Sequence, residues 1–559
     1  MRRAWSRLKR DSRGAVAPIV GLSMFGLIAM GGIAFDYARL ATLDTELQNA
    51  ADQAALAAAS QLDGQSGAVL RAVAAAQSLL ANQTYLGNDG GGTAIQTGTT
   101  TGSVFRVYFY TSKANAEADT SPILASAAVD STAKYVKVAV VGRQAKYALT
   151  PIAGALSSGT MNAEAVAGLS SSICKTPPVM MCNPDEPAGN TNVNYPFNGN
   201  SFAGRGLRLI SVGNGNSAWG PGDFGYLDTG SSTSNPNVEL RQALGWVTAP
   251  GDCSSIDGVK TRTGAGTTVT QAINTRFDIY EKVQNNNASA NFNGGNASCP
   301  AGGSCPPSIN TVKDLIQKGA PTGAGKCGIA NNEWEESATP YRPTTTTDLT
   351  VAQMPVAMGY PRDKCHALSI NGSCTGGKIG DGAWDRGAYF YVNYGWTAAL
   401  WPTYIASGVS PISGSTPSRY RVYQWEIANR GTTIGGRTIL PATRVYGSGG
   451  NPPTAFNQPV CSALQTPATS GIVPGGTNVD RRRISTAVLN CQASNVHGGG
   501  GTVYPVLKFI ELFLVEPSTT RGSVTDKNDV YVEMIGTTTL GAGSSAGQVV
   551  RRDTPHLVR

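Results

Sequence analysis

Ala15–Phe35, AVAPIVGLSMFGLIAMGGIAF, is a run of 21 uncharged residues, and it limits what the rest of the chain can be. As a helix rising about 1.5 Å per residue it spans the roughly 30 Å of a bilayer's hydrocarbon core. Six cations (Arg2, Arg3, Arg7, Lys9, Arg10, Arg13) and one anion, Asp11, precede it, while Asp36, Arg39, Asp44 and Glu46 follow. Because cationic flanks stay on the cytoplasmic side, residues 1–14 are expected inside and 36–559 outside. A cleaved signal peptide would have a shorter apolar core, about 7–15 residues, and a small-x-small exit. This run is longer and leaves through Ala34-Phe35-Asp36, so an uncleaved single span is expected.

Charge says little about the bulk of the chain. The tail carries +5 of the formal +8, which leaves +3 over the other 545 residues. No basic stripe for nucleic acid remains. Charged residues make up 14%, Gly is 68 of 559, and all ten cysteines lie after residue 173. No C-x-x-C occurs and there are three histidines, so a closed zinc site is not indicated. An even, dispersed set of cysteines points to disulfides in an oxidising compartment.

The helical pattern continues past the span. Leu40, Leu43, Leu47, Ala50, Ala54 and Ala57 recur at alternating steps of three and four, drawing one packing seam along a helix over 15–62. Asp36, Arg39, Asp44, Glu46 and Asp52 fall off it. Asp63–Gly67 reads as a turn, and Val69, Val73, Ala76 and Leu80 mark a second helix able to fold back. The seam therefore has two candidate partners, this second helix or a helix of another subunit.

Gly14-Ala15-Val16-Ala17, Asp36-Tyr37-Ala38-Arg39 and the run from Glu46 to Ala59, ELQNAADQAALAAA, together resemble the N-terminal domain of TadG-like proteins of the bacterial Tad (Flp) pilus-assembly machinery. The resemblance covers about the first sixty residues. It implies a pilin-like helix in the inner membrane, a periplasmic or surface-facing body, and pilin-like or Tad assembly proteins as partners. Processed pilins carry Glu at the fifth position after the peptidase cut; here the fifth position after Gly14 is Ile19. Some TadG-like proteins also hold a von Willebrand A domain with a D-x-S-x-S metal site. The nearest run here, Asp119-Thr120-Ser121-Pro122-Ile123, lacks that pattern. Gly220–Asp228, Asn274–Tyr280 and Asp480–Arg483 extend the resemblance without naming a chemistry.

The expected fold class is α+β: the pilin-like transmembrane helix, a small α+β head over 63–173, a β-rich disulfide-stapled region over 174–540 and a flexible tail, 541–559. Strands are expected at Val104–Tyr110, Tyr135–Val141, Ala163–Leu169, Leu207–Val212, Tyr389–Tyr394, Tyr420–Ile427, Val503–Val515 and Val530–Ile535, from β-branched and aromatic content. Asn285–Ser308 is a low-complexity loop. Short loops close most readily, which favours Cys174/Cys182, Cys299/Cys305 and Cys365/Cys374 and leaves Cys253/Cys327 and Cys461/Cys491.

No set of residues assembles an acid, a base and a nucleophile. Gly543-Ser544-Ser545-Ala546-Gly547 matches G-x-S-x-G but sits in a Gly/Ser tail without a strand before it. Gly377–Gly382 lacks the phosphate-loop order and reads as a turn, and Asp381 with Asp385 lacks calcium-loop spacing. Cys365-His366 reads as a cystine beside a histidine. Trp384, Tyr389, Phe390, Tyr391, Tyr394, Trp396, Trp401 and Tyr404 are expected mainly in a core, with a protein interface or sugar stacking as the alternatives. Arg481–Arg483 are expected to pair with carboxylates such as Glu511 or Glu516. No catalytic residue, cofactor or metal is expected. The expected function is a non-enzymatic component of Tad/Flp pilus assembly, and the alternative is a tethered adhesin that binds glycans.

Overall fold

In the computed structural model, Val16–Ala59 forms one helix, α1, of 44 residues and about 66 Å. Pro18 is tolerated because it lies in the first turn, where its missing N–H has no helical partner. The structure describes residues 16–558, with breaks of seven or more residues at 96–106, 150–156, 212–218, 229–235, 263–269, 281–304, 318–326, 366–378, 447–453, 522–528 and 539–549, and shorter ones elsewhere. The chain divides into two compact units, Met1–Ser170 with Asp553–Arg559, and Ser171–Arg552.

In the first unit the second half of α1 packs on α2 (Ala68–Gln77) and on a sheet. Arg71 pairs with Asp63 across the turn, and the Asp130 carboxylate accepts the N–H groups of Gly67 and Val69 at the start of α2. Gly67 stands at φ +78°, a conformation that a side chain would strain. The sheet contains β1 (Val107–Tyr110), β2 (Tyr135–Ala139), β3 (Glu164–Cys174) and a strand from the C-terminus (Val550–Leu557), in that order. The short helix α3 (Lys113–Ala118) follows β1. The expectation of a flexible tail fails at 550–557, since Val558 also donates to Val166 O at 2.8 Å. The Gly/Ser stretch that prompted it, with the G-x-S-x-G match, lies outside the described residues.

The second unit, whose first described α-helix is α4 (Pro236–Gly245), is built on a closed six-stranded barrel. Its strands are β4 (Val179–Cys182), β5 (Gly206–Ser211), β6 (Asp223–Tyr226), β7 (Arg483–Leu489), β8 (Lys508–Leu514) and β9 (Asp529–Thr537), in the order β7-β8-β9-β5-β6-β4. Neighbours run antiparallel except β5/β6 and β4/β7. All six strands contribute to one apolar cluster, including Met181, Leu209, Phe224, Val488, Leu512 and Val532. Alternate residues leave on the other face: Met180, Ala487 and Leu489 join a second cluster with Trp219, while Phe513 and Tyr531 join a third. Gly225 is required where Trp219 lies on the sheet, because a Cβ there would come within 2.4 Å of the indole.

The third cluster corrects two strand expectations. Tyr389–Tyr394 lies in helix α5 (Arg386–Tyr394) and Tyr420–Ile427 in α7 (Arg419–Ala428), with α6 (Trp401–Ala406) between them. Aromatic content favours strands, but the caps decide otherwise. Asp385 accepts the Ala388 N–H, Ser418 accepts that of Arg421, and Gly395 ends α5 at φ +68°. The expected Val503–Val515 strand divides into Val503–Tyr504 and β8.

Three of the five expected cystine pairs are also corrected. Cys182 is bonded to Cys491, 309 residues away, and Cys327 to Cys461, 134 away. This excludes Cys174/Cys182, Cys253/Cys327 and Cys461/Cys491. Cys182 and Cys491 meet because β4 and β7 are barrel neighbours, with Cys182 in register with Leu489. Proximity in the sheet overrides proximity in sequence. Cys174 stands opposite Cys253 in register on β3 and Cys253–Ser255. Cys305 and Cys365 are also disulfide-bonded. Cys299, Cys374 and His366 lie outside the described residues, as does most of the Asn285–Ser308 loop.

Candidate functional site

The feature most directly tied to a membrane role is α1. Val16–Phe35 exposes Ile19, Leu22, Phe25, Leu27, Ile28, Met30, Ile33 and Phe35, with almost none of this surface covered by the protein. An exposed apolar stripe of this size is stable only against another apolar phase or a partner. Gly32 is the exception, because the Leu149 side chain sits where its Cβ would be.

At Asp36 the helix enters the head, and polar side chains take over. The Asp36 carboxylate accepts the N–H groups of Ala148 and Leu149 at 3.0 and 2.9 Å. Arg39 donates to Leu86 O, Glu46 accepts from the Thr84 hydroxyl at 2.7 Å, and Gln48 donates to Glu164 O. Three of these four, Asp36, Arg39 and Glu46, and Asp44 and Asp52 with them, fall off the apolar seam in sequence. The structure shows what the first three do: they tie the helix to the loops around it. Asp44 is exposed, and Asp52 accepts from Gln48.

The seam itself packs inside the head. Leu43, Leu47, Ala50 and Ala54 are buried in one cluster with Val69, Ala72, Val136 and Val138, and Leu40 packs against it half-buried. Ala57 is also half-buried. Of the two partners open to the seam, the structure supplies the intramolecular one. Small alanines let α2 and the sheet approach the helix closely.

Asp119, the aspartate of the rejected metal motif, accepts from the Tyr110 hydroxyl and pairs with Lys137, and these two donors hold its carboxyl below the ordinary range. Nearby in the head, Asp89 takes both Nε and Nη2 of Arg143, at 2.9 Å each, and is held well below the usual carboxylate range by that pairing and by the N–H groups of Gln144 and Gly91. No group of three metal-ligating side chains occurs among the described residues.

The aromatic segment of the second unit is a core. Trp384, Tyr389, Phe390, Tyr394, Trp396 and Trp401 are buried, and Tyr391 and Tyr404 are half-buried. Their rings stack on one another, Phe390 on Trp401 at 5.0 Å and Tyr394 on Trp396 at 4.9 Å, which leaves those faces no room for sugars. Glu426 in α7 accepts the hydroxyls of Tyr360, Tyr389 and Tyr394. Arg419 is fully buried between Asp363 and Glu533; burial disfavours its charge, but the two carboxylates outweigh it and hold the guanidinium protonated. Asp363 also accepts from Gly206 and Gly382, and at Gly380 a Cβ would strike its Oδ2 at 2.0 Å. The described end of the Gly377–Gly382 run is thus a turn wrapped around a buried carboxylate. Asp385 is spent on the α5 cap and on the Leu349 N–H.

The three stretches that carried no chemistry in the sequence divide in space. Gly220–Asp228 contains β6, while Asn274–Tyr280 and Asp480–Arg483 interlock. Arg276 donates to Arg481 O, and Arg481 donates back to Thr275 O. The Arg482 guanidinium lies 4.3 Å from the Phe277 ring centroid and 4.8 Å from that of Phe513. Arg483 pairs with Glu511 as expected, whereas Glu516 is taken by Arg362 and Arg521. Sequence reasoning placed these arginines at carboxylates; the structure also shows Arg481 and Arg482 donating to backbone carbonyls.

No curated protein and no solved structure matches the chain significantly. Residues 14–61, which contain the whole of α1, match the model of the TadE/G-like family of Flp pilus assembly, so the chain carries an N-terminal TadE/G-like domain.

Proposed function

We propose that this protein is a non-enzymatic, single-pass membrane component of Tad/Flp pilus assembly, with residues 1–14 in the cytoplasm and the bulk of the chain in the periplasm or facing the surface. One observation carries the reading: the matched segment is a single helix whose first half presents bare apolar side chains and whose second half is the core of a head. A helix built in this way transmits position from the membrane to the head, because bending it would break both the helix hydrogen bonds and the Asp36, Arg39 and Glu46 anchors. The buried cystines support an oxidising compartment. With the seam used inside the head, lateral contact with pilin-like or Tad assembly proteins falls to the membrane half, where a Cβ on Gly21, Gly26 or Gly31 would meet nothing.

A clean deletion strain tests the assignment. It should lack Flp-type pili and adhere poorly, with rescue by the wild-type gene; a normal pilus count would refute it. Cysteine-accessibility labelling of spheroplasts should reach the head and not the tail. Labelling of the tail from outside would overturn the orientation alone.

A further inference from the structure

Arg276 and Arg481 are buried like Arg419 but are not neutralised like it. Arg276 spends Nε on Leu244 O at 2.6 Å and Nη1 on the carbonyls of Arg481 and Arg483. Arg481 spends Nη2 on Gly245 O and Thr275 O, each at 3.0 Å. Arg276 Nη2, Arg481 Nε and Arg481 Nη1 remain buried with no hydrogen-bond partner. Neither guanidinium forms an ion pair with a carboxylate, whereas Arg419 has two. The nearest acids are engaged elsewhere. Asp480 accepts from the Tyr423 hydroxyl at 2.6 Å and from the Arg482 N–H, and Asp278 Oδ1 accepts from Ser308 N–H at 2.9 Å. Burial and then the charge of Arg481 push Arg276 down to about 9, which describes two like charges held together out of water.

Two adjacent buried cations with three unused donor nitrogens call for a negative charge. We propose that Arg276 and Arg481 together hold one small inorganic anion of the halide class, of which chloride is the form that an extracytoplasmic medium supplies. A spherical monoanion suits donors drawn from two side chains, since it imposes no direction of its own.

The test uses the oxidised full-length chain in detergent, with chloride exchanged for gluconate at constant ionic strength and urea unfolding followed by tryptophan fluorescence. Once the site is saturated, each tenfold rise in chloride should lower the unfolding constant about tenfold, while gluconate should have no such effect. Arg481→Lys and Arg276→Lys, which keep the charge and reduce the donors, should abolish the dependence. Identical curves in chloride and gluconate, or full chloride dependence in both variants, would overturn the proposal. Should neither variant fold, crystals of the wild-type chain grown in bromide decide: an anomalous peak between the two guanidinium groups supports the site, and none refutes it.

Discussion

Removing the Cys182–Cys491 bridge with the double variant Cys182→Ala/Cys491→Ala should weaken the barrel more than any surface change. The bridge joins β4 to β7, the two strands whose parallel pairing completes the barrel, and Asn183 N–H donates to Leu489 O beside it. The cysteines are 309 residues apart, less the 134 bypassed by Cys327–Cys461, which leaves about 175 in the effective loop. Loop-closure entropy for such a length is about 5 kcal/mol at 25 °C, and losses on removing native bridges fall at roughly 2–5 kcal/mol. With a urea dependence of about 3 kcal/mol per molar, the midpoint should fall by roughly 1 M. The assay is urea unfolding of the oxidised chain in detergent, read by the emission of the buried tryptophans. A shift below about 0.3 M, near 1 kcal/mol, would refute the reasoning: barrel closure would then rest on strand pairing and packing alone.

Ala50→Phe or Ala54→Phe should destabilise the head by about 1–3 kcal/mol or more, because both sites are filled by α2 and the sheet; the readout is lower abundance and faster proteolysis, and normal abundance with lost pili would instead return the seam to an intersubunit role. Arg419→Met should cost about 3–5 kcal/mol by stranding Asp363 and Glu533 in the core, measured as a fall in the unfolding midpoint of the second unit. Asp89 is depressed in the folded state, so its contribution is fully present above its unfolded value, about 3.9, and is lost as pH falls below it toward the folded value. The protection of the Gly91 and Gln144 amides against hydrogen exchange, taken relative to the intrinsic rate at each pH, should fall below about pH 4 in the wild type, and an unchanged profile in Asp89→Asn would show that another group is responsible.

The sequence by itself determined the helix, because an uncharged run followed by a three-four repeat of Leu and Ala has one good solution, and that information is local. It also marked β2, β5 and β9 within a residue or two, from their apolar, β-branched and aromatic content. It placed Arg483 beside Glu511, and read the aromatic segment as core while assigning it the wrong element. The Asp385 and Ser418 caps were present in the sequence, but aromatic content spoke louder than they did. Only the tertiary structure decided which face of α1 was already occupied, which cysteines meet, and that 550–557 is a strand. The reason is the same in each case: these outcomes depend on which distant segments share a sheet. Cys182 finds Cys491 because six strands close into a ring, and Arg276 finds Arg481 because the short helix Thr270–Phe277 hydrogen-bonds to the backbone where β7 begins. Neither proximity leaves a trace in local spacing.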